Sequence, residues 1–187
     1  MKKYILIIIL SCLGETLLAQ RFYVSNNSAI KFFSKTPLED ITANNKKSIA
    51  IIDAEKQEIA VKIPIRDFVF PLKLMQEHFN ENYMESDKFP YATFKGFFNK
   101  KLDLSQSTNT SLSVTGTMTI HGVSKMIILQ GNIAFDSPNK SITLDTDFRV
   151  KLEDYNIKVP TVVLLKIAEE ISVNAQFILI PNRKLAL

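Results

Sequence analysis

The 187-residue chain has no tryptophan, one cysteine and two histidines. A single cysteine, Cys12, cannot close a disulfide within one chain, so stability in an oxidising compartment has to come from packing. No Gly-x-Ser-x-Gly elbow occurs, and with the cysteine confined to the first residues nucleophilic catalysis has no familiar frame. His78 stands near Glu77, Glu81 and Asn82 at helical spacing, a pattern that suits a metal in principle but reads better as a solvated helix face. His121 precedes Gly122 and reads as a turn residue. Glu39-Asp40 and Arg66-Asp67 bring charges together without an acid–base pairing, and Glu39-Asp40 reads as a surface turn. No catalytic residue, metal site or cofactor is expected, and the chain reads as a non-enzyme.

One sign of charge does not dominate either. The chain carries 23 basic and 19 acidic residues, a net +4, with no long basic run. Lys46-Lys47 is read as a solvated turn, and nucleic acid is excluded as a partner. Long apolar runs are also missing. The stretch Tyr4–Leu13, interrupted by Ser11 and Cys12, falls short of the about 20 apolar residues that cross a bilayer. Lys2 and Lys3 precede it and Leu17-Leu18-Ala19 follows, the layout of a secretory signal cut after Ala19. The expectation is a signal peptide over 1–19 and one exported domain over 20–187. The alternative is a lipoprotein acylated at Cys12 after Ile9-Leu10-Ser11; the apolar stretch before Cys12 is very short, and Leu13, Leu17 and Leu18 carry the apolar character past it.

What the chain does have is alternation. From Ile142 to Glu153 the even positions are mainly apolar and the odd ones polar, the mark of a strand with one buried face. Leu112, Val114, Gly116, Met118 and Ile120 repeat the pattern, and shorter versions run through Ile59–Ile63, Ala92–Phe98 and Val173–Leu179. Turns are expected at Asp53–Lys56, His121-Gly122 and Asp136–Lys140, with positive φ at Gly122. Asn99–Thr110, polar but for Leu102 and Leu104, is expected as a surface loop. Two helices interrupt the strands. Pro71 opens the first, which places Leu72, Met75, Phe79 and Tyr83 on one face. The second spans Thr161–Glu170 and is apolar nearly all round.

The remaining length divides into about eight strands with their connections, a number at which a closed barrel either fills with side chains or holds one small ligand. Closure also removes exposed edges. The fold class expected is all-β, an eight-stranded antiparallel barrel with one or two short helices; pattern alone leaves an open two-sheet sandwich as the alternative.

Several strings carry a resemblance: Phe33–Ile41, Leu74–Pro90, Ala92–Gly96, Val114–Lys125 and Asp154–Pro160. In this order and spacing the chain, from about Phe22 to Ile180, resembles the YceI-like family of lipid- and polyisoprenoid-binding proteins. The resemblance implies a lipocalin-like barrel in the periplasm, an apolar tunnel holding an isoprenoid lipid, and a homodimer in some members. It implies no catalytic motif, so ligand-contacting residues are assigned by face: Ile30, Phe32, Ile59, Val61, Phe94, Val114, Met118, Leu144, Phe148, Val173 and Phe177 from strands, with Leu72, Met75 and Phe79 from the first helix. Thirteen phenylalanines suit such a lining. The function expected is a carrier or reservoir for a quinone-like or polyprenyl lipid, with transient membrane contact. The alternatives are a stress-related or structural envelope protein with a filled barrel, and an accessory to a lipid-modifying enzyme.

Overall fold

The computed structural model describes residues 22–36, 38, 40–159 and 168–182. The expected signal segment over 1–19, with Cys12 and Ala19, lies outside the described residues, as do 161–167 of the expected second helix. Glu170, its last residue, opens a strand instead.

Ten strands follow in chain order: β1 (Phe22–Lys35), β2 (Asp40–Asn45), β3 (Ile49–Asp53), β4 (Glu58–Pro64), β5 (Phe68–Val69), β6 (Tyr91–Phe98), β7 (Thr108–Ile120), β8 (Val123–Asp136), β9 (Ser141–Lys151) and β10 (Glu170–Pro181). Each pairs antiparallel with its neighbours, in the order β10-β9-β8-β7-β6-β4-β3-β1, and β10 pairs back onto β1 to close the ring. β2 and β3 share one place in the wall, pairing with the second and first halves of β1, and β5 extends the place of β4 by pairing with β2. The wall is therefore an eight-stranded closed barrel.

The two interrupted strands are fastened together by one buried side chain. Asn45 donates from Nδ2 to the Pro64 carbonyl at 2.7 Å, while its Oδ1 accepts from the Lys47 amide (2.8 Å) and the Ser48 hydroxyl (3.0 Å). The break after β2 is thus held against the break after β4, where Ile65–Asp67 form a 3-10 turn. In this way backbone groups that leave the ladder still find partners.

Alternation sets the faces. Ala92, Phe94, Gly96 and Phe98 of β6 are buried and point inward, as do Leu112, Val114, Gly116 and Met118 of β7. Gly96 and Gly116 are cross-strand partners. A Cβ at Gly116 would stand 2.8 Å from the Phe94 ring and 2.3 Å from the Lys95 carbonyl, so the missing side chain makes room for that ring. The turn between β7 and β8 carries positive φ at both His121 (50°) and Gly122 (75°), the conformation of a two-residue hairpin.

Two expectations are corrected. The last part of the expected loop, Thr108–Thr110, is strand, because Ile133–Phe135 of the long β8 pair with it. The helix α1 (Lys73–His78) starts two residues after Pro71, with Leu72 extended at its N-cap, and continues as a π-helical turn over Phe79–Tyr83.

Candidate functional site

Toward one end of the barrel Ile52, Ile142 and Leu179 are fully buried, with Tyr23 and Phe135 paired beside them. The other end is hollow. A cavity of about 500 Å3 extends from Ile30 and Met118 in mid-barrel to α1 at the mouth. Cavities of roughly 300–1,000 Å3 with mainly apolar walls are the usual size for a small-molecule site.

Strand alternation brings Ile30, Phe32, Met118, Phe148 and Val173 to this wall, and the helical segment adds Leu72, Met75 and Phe79. Ile59, Val61, Phe94, Val114, Leu144 and Phe177, the other residues assigned by face, line a smaller cavity of about 80 Å3 beside it, which Ile30, Met118 and Phe148 also touch. All fourteen residues thus stand on one wall or the other.

The wall also holds residues that sequence alternation did not single out. Phe68 and Phe70 lie between Pro64 and Pro71, in a stretch too short to show a period. Their rings meet Phe79 at 5.6 and 4.9 Å, and those of Phe32 meet Phe68 and Phe70 at 5.5 and 5.6 Å. Four aromatic rings therefore join the helical segment to the barrel. The Phe70 amide adds a hydrogen bond to Gln76 Oε1 at 3.2 Å. Leu72 and Leu74 remain more than half exposed at the mouth. An apolar rim of this kind gives an apolar molecule a continuous surface from outside to inside.

Polar groups are few. Among the described residues of the main wall, only Ser34, His78 and Tyr83 carry side-chain oxygen or nitrogen. The Ser34 hydroxyl, buried, accepts from the Ala168 amide at 3.1 Å. Burial raises the Tyr83 phenol above its ordinary value by penalising the phenolate. Such a wall gains from apolar contact and offers little to a charged molecule.

Of the two histidines, His78 borders the main cavity and His121 does not. His121 Nδ1 donates to the Tyr155 carbonyl at 3.2 Å, its Nε2 is 2.8 Å from a Glu85 carboxylate oxygen, and its ring meets Phe89 edge-on at 4.5 Å. Both ring nitrogens are thus engaged outside the cavities, and the residue braces three segments around the β7–β8 turn. His78 is exposed on α1, and no group of three metal-capable side chains occurs among the described residues.

A family model described as the YceI-like domain matches residues 23–179. No curated protein matches the chain. Among solved structures, a polyisoprenoid binding domain from Saccharophagus degradans, implicated in plant cell wall breakdown, is similar with a TM-score of 0.73 at 16% identity, over 87% of this chain and 99% of that one. Burkholderia cenocepacia BcnA gives 0.66 at 16% identity, over 81% and 95%. A Campylobacter jejuni YceI protein gives 0.53 at 21% identity, over 95% and 97%. At these identities the likeness is one of fold.

Proposed function

We propose a function from one premise: the chain belongs to the YceI-like domain family. In this reading the protein is exported to the periplasm and holds one isoprenoid lipid, of polyprenyl or quinone-like type, in its barrel as a carrier or reservoir, without reacting with it. The observation that carries the reading is the cavity of about 500 Å3, walled almost wholly by aliphatic and aromatic side chains and open beside α1. A filled barrel would leave no such space. The polyisoprenoid binding described for the Saccharophagus degradans domain, which has the same fold, supports the choice of ligand class.

The energetics favour such a ligand. Burial contributes about 0.8 kcal/mol per CH2, and the ordering of a flexible chain offsets part of this. A branched chain also fits a wall of Phe, Ile and Leu side chains in which Met75, Met84 and Met118 can adapt to irregular shapes.

The test is to purify the processed protein from its own envelope, extract it with organic solvent and identify bound lipid by mass spectrometry. An isoprenoid recovered in near-stoichiometric amount is the expected result. A reproducibly empty protein that also takes up no added polyprenol would overturn the reading, and turnover of a lipid would move the protein to the enzymes.

A further inference from the structure

The barrel wall is not closed along its whole height. The ladder between β8 and β9 runs from Asp136↔Ser141 to Gly131↔Thr146 and stops there. Beyond that point β8 continues to Val123 paired with β7, and β9 continues to Lys151 paired with β10. At the fork the Thr146 hydroxyl donates to the Gln130 carbonyl at 2.6 Å, a last cross-link made by a side chain. The far end of the split is shut by the Lys125–Asp154 ion pair and by the His121 contact with Tyr155. Between Lys125 and Gln130, at about 3.4 Å per residue, the opening runs about 17 Å along β8.

Burial marks the same opening. The inward positions of β7 are buried, yet their partners on β8 beyond the fork (Lys125, Ile127 and Leu129) are all partly exposed, whereas Ile133 and Phe135 within the β8–β9 ladder are buried. Intact walls on both sides of a strand would cover them. The smaller cavity explains where the exposure comes from. It touches inward residues such as Leu129 and Phe148, and also Gln130, Asn132 and Asp145, which point outward. The cavity thus reaches the end of the ladder, where Gly131 and Thr146 also line it. This space adjoins the main cavity, since Ile30, Ile63, Met118 and Phe148 border both.

Volume gives the split a use. At about 30 Å3 per heavy atom, the share of a water molecule in the liquid, the main cavity takes about 17 such atoms, or roughly three isoprene units. A longer chain has to leave it. Outside the split, Met126 and Ile128 are 78% and 64% exposed on β8, an apolar strip next to the opening. We infer that the β8–β9 split is a second mouth of the site, through which the far end of a long polyisoprenoid leaves the barrel and lies against Met126 and Ile128. This inference rests on the lipid-binding reading above and adds the path of the chain, threaded past Phe148 rather than coiled inside.

Two probes test it on the purified, delipidated processed protein: farnesol and the much longer solanesol, each carrying a photoreactive diazirine at the end remote from the hydroxyl. After irradiation, the labelled peptides are mapped by mass spectrometry, with unlabelled alcohol as competitor. Solanesol is expected to label Met126–Asn132 at least an order of magnitude more than farnesol does, with farnesol labelling the inner wall around Met118 and Phe148. Solanesol labelling confined to Leu72 and Leu74 at the α1 mouth, with β8 unlabelled, would overturn the second mouth and leave lipid binding standing. Absence of competable labelling by either probe would overturn both.

Discussion

The rings of Phe32 and Phe79 stack with centroids 5.6 Å apart and 26° between their planes, one projecting from the barrel wall and the other from the helical segment over the cavity. Aromatic pairs at such separations add about 0.5–1.5 kcal/mol beyond area burial. Phe79 also meets Phe68 and Phe70, so its ring ties the helical segment to three phenylalanines of the wall. Phe79→Ala is expected to cost about 2 kcal/mol, less than a fully buried Phe because Phe79 is partly exposed. Calorimetry should show the melting temperature lowered by about 4–8 °C for a domain of this size. The same variant should weaken apolar-probe binding.

The cavity can be filled without disturbing the ladders. Ala92 is buried on the main wall, between the hollow end and mid-barrel. Ala92→Phe places a ring in space that is otherwise open, so the overpacking cost of about 1–3 kcal/mol should fall at its lower limit. The expected outcome is an unchanged circular dichroism spectrum with affinity for a farnesyl probe reduced at least tenfold, a difference of about 1.4 kcal/mol. Equal affinity in the two proteins would place the ligand elsewhere.

Gly122 is fixed by its surroundings as well as by its φ of 75°. A Cβ there would stand 2.5 Å from the Phe89 ring. Gly122→Ala therefore combines left-handed strain with a clash, and about 1–3 kcal/mol of destabilisation is expected. Urea unfolding should show a lower midpoint with an unchanged slope.

Asn45→Ala removes the clamp between the two interrupted strands. The Pro64 carbonyl and the buried Ser48 hydroxyl lose their partner. A buried group left unsatisfied costs about 1–3 kcal/mol. Amide hydrogen exchange should quicken at both breaks, around Lys46–Ser48 and Pro64–Asp67, with β7 and β8 unaffected.

Alkaline titration has a definite sign. Tyr23, Tyr83 and Tyr155 all have phenols raised above 10.0 by burial, with the Asp154 carboxylate adding to the effect at Tyr155. A raised folded value means that the stability is complete below pH 10.0 and falls as pH rises above it, since the unfolded chain then releases protons that the folded one retains. The chain has no tryptophan, so near-ultraviolet absorbance reports tyrosinate directly. The folded protein should titrate at higher pH than the protein in denaturant.

Much of the architecture is legible from period-two alternation, because a strand with one buried face has to repeat every second residue. That is why Val114 and Met118, or Leu144 and Phe148, are placed on the cavity walls by face alone. Legibility fails where pairing is set from a distance. Thr108–Thr110 is polar on both faces and becomes strand only because β8 is long enough to hold it. Phe68, in a two-residue strand, and Phe70, just after it, contribute to the site from a stretch that has no period of its own. The β8–β9 split cannot be read from alternation, because Met126-Ile127-Ile128-Leu129 is apolar on both faces and does not say which one is covered. The end of the ladder at Gly131↔Thr146 and the partial exposure of Ile127 and Leu129 reveal it.

The central claim is that the hollow end of the barrel binds an isoprenoid chain. Equilibrium titration of the delipidated protein with a fluorescent farnesyl probe tests it most directly, run in parallel on the Ala92→Phe variant. The account predicts saturation at one probe per chain, a blue-shifted emission from an apolar site, and loss of that signal in the variant. A signal that does not saturate, or that survives Ala92→Phe unchanged, would contradict it.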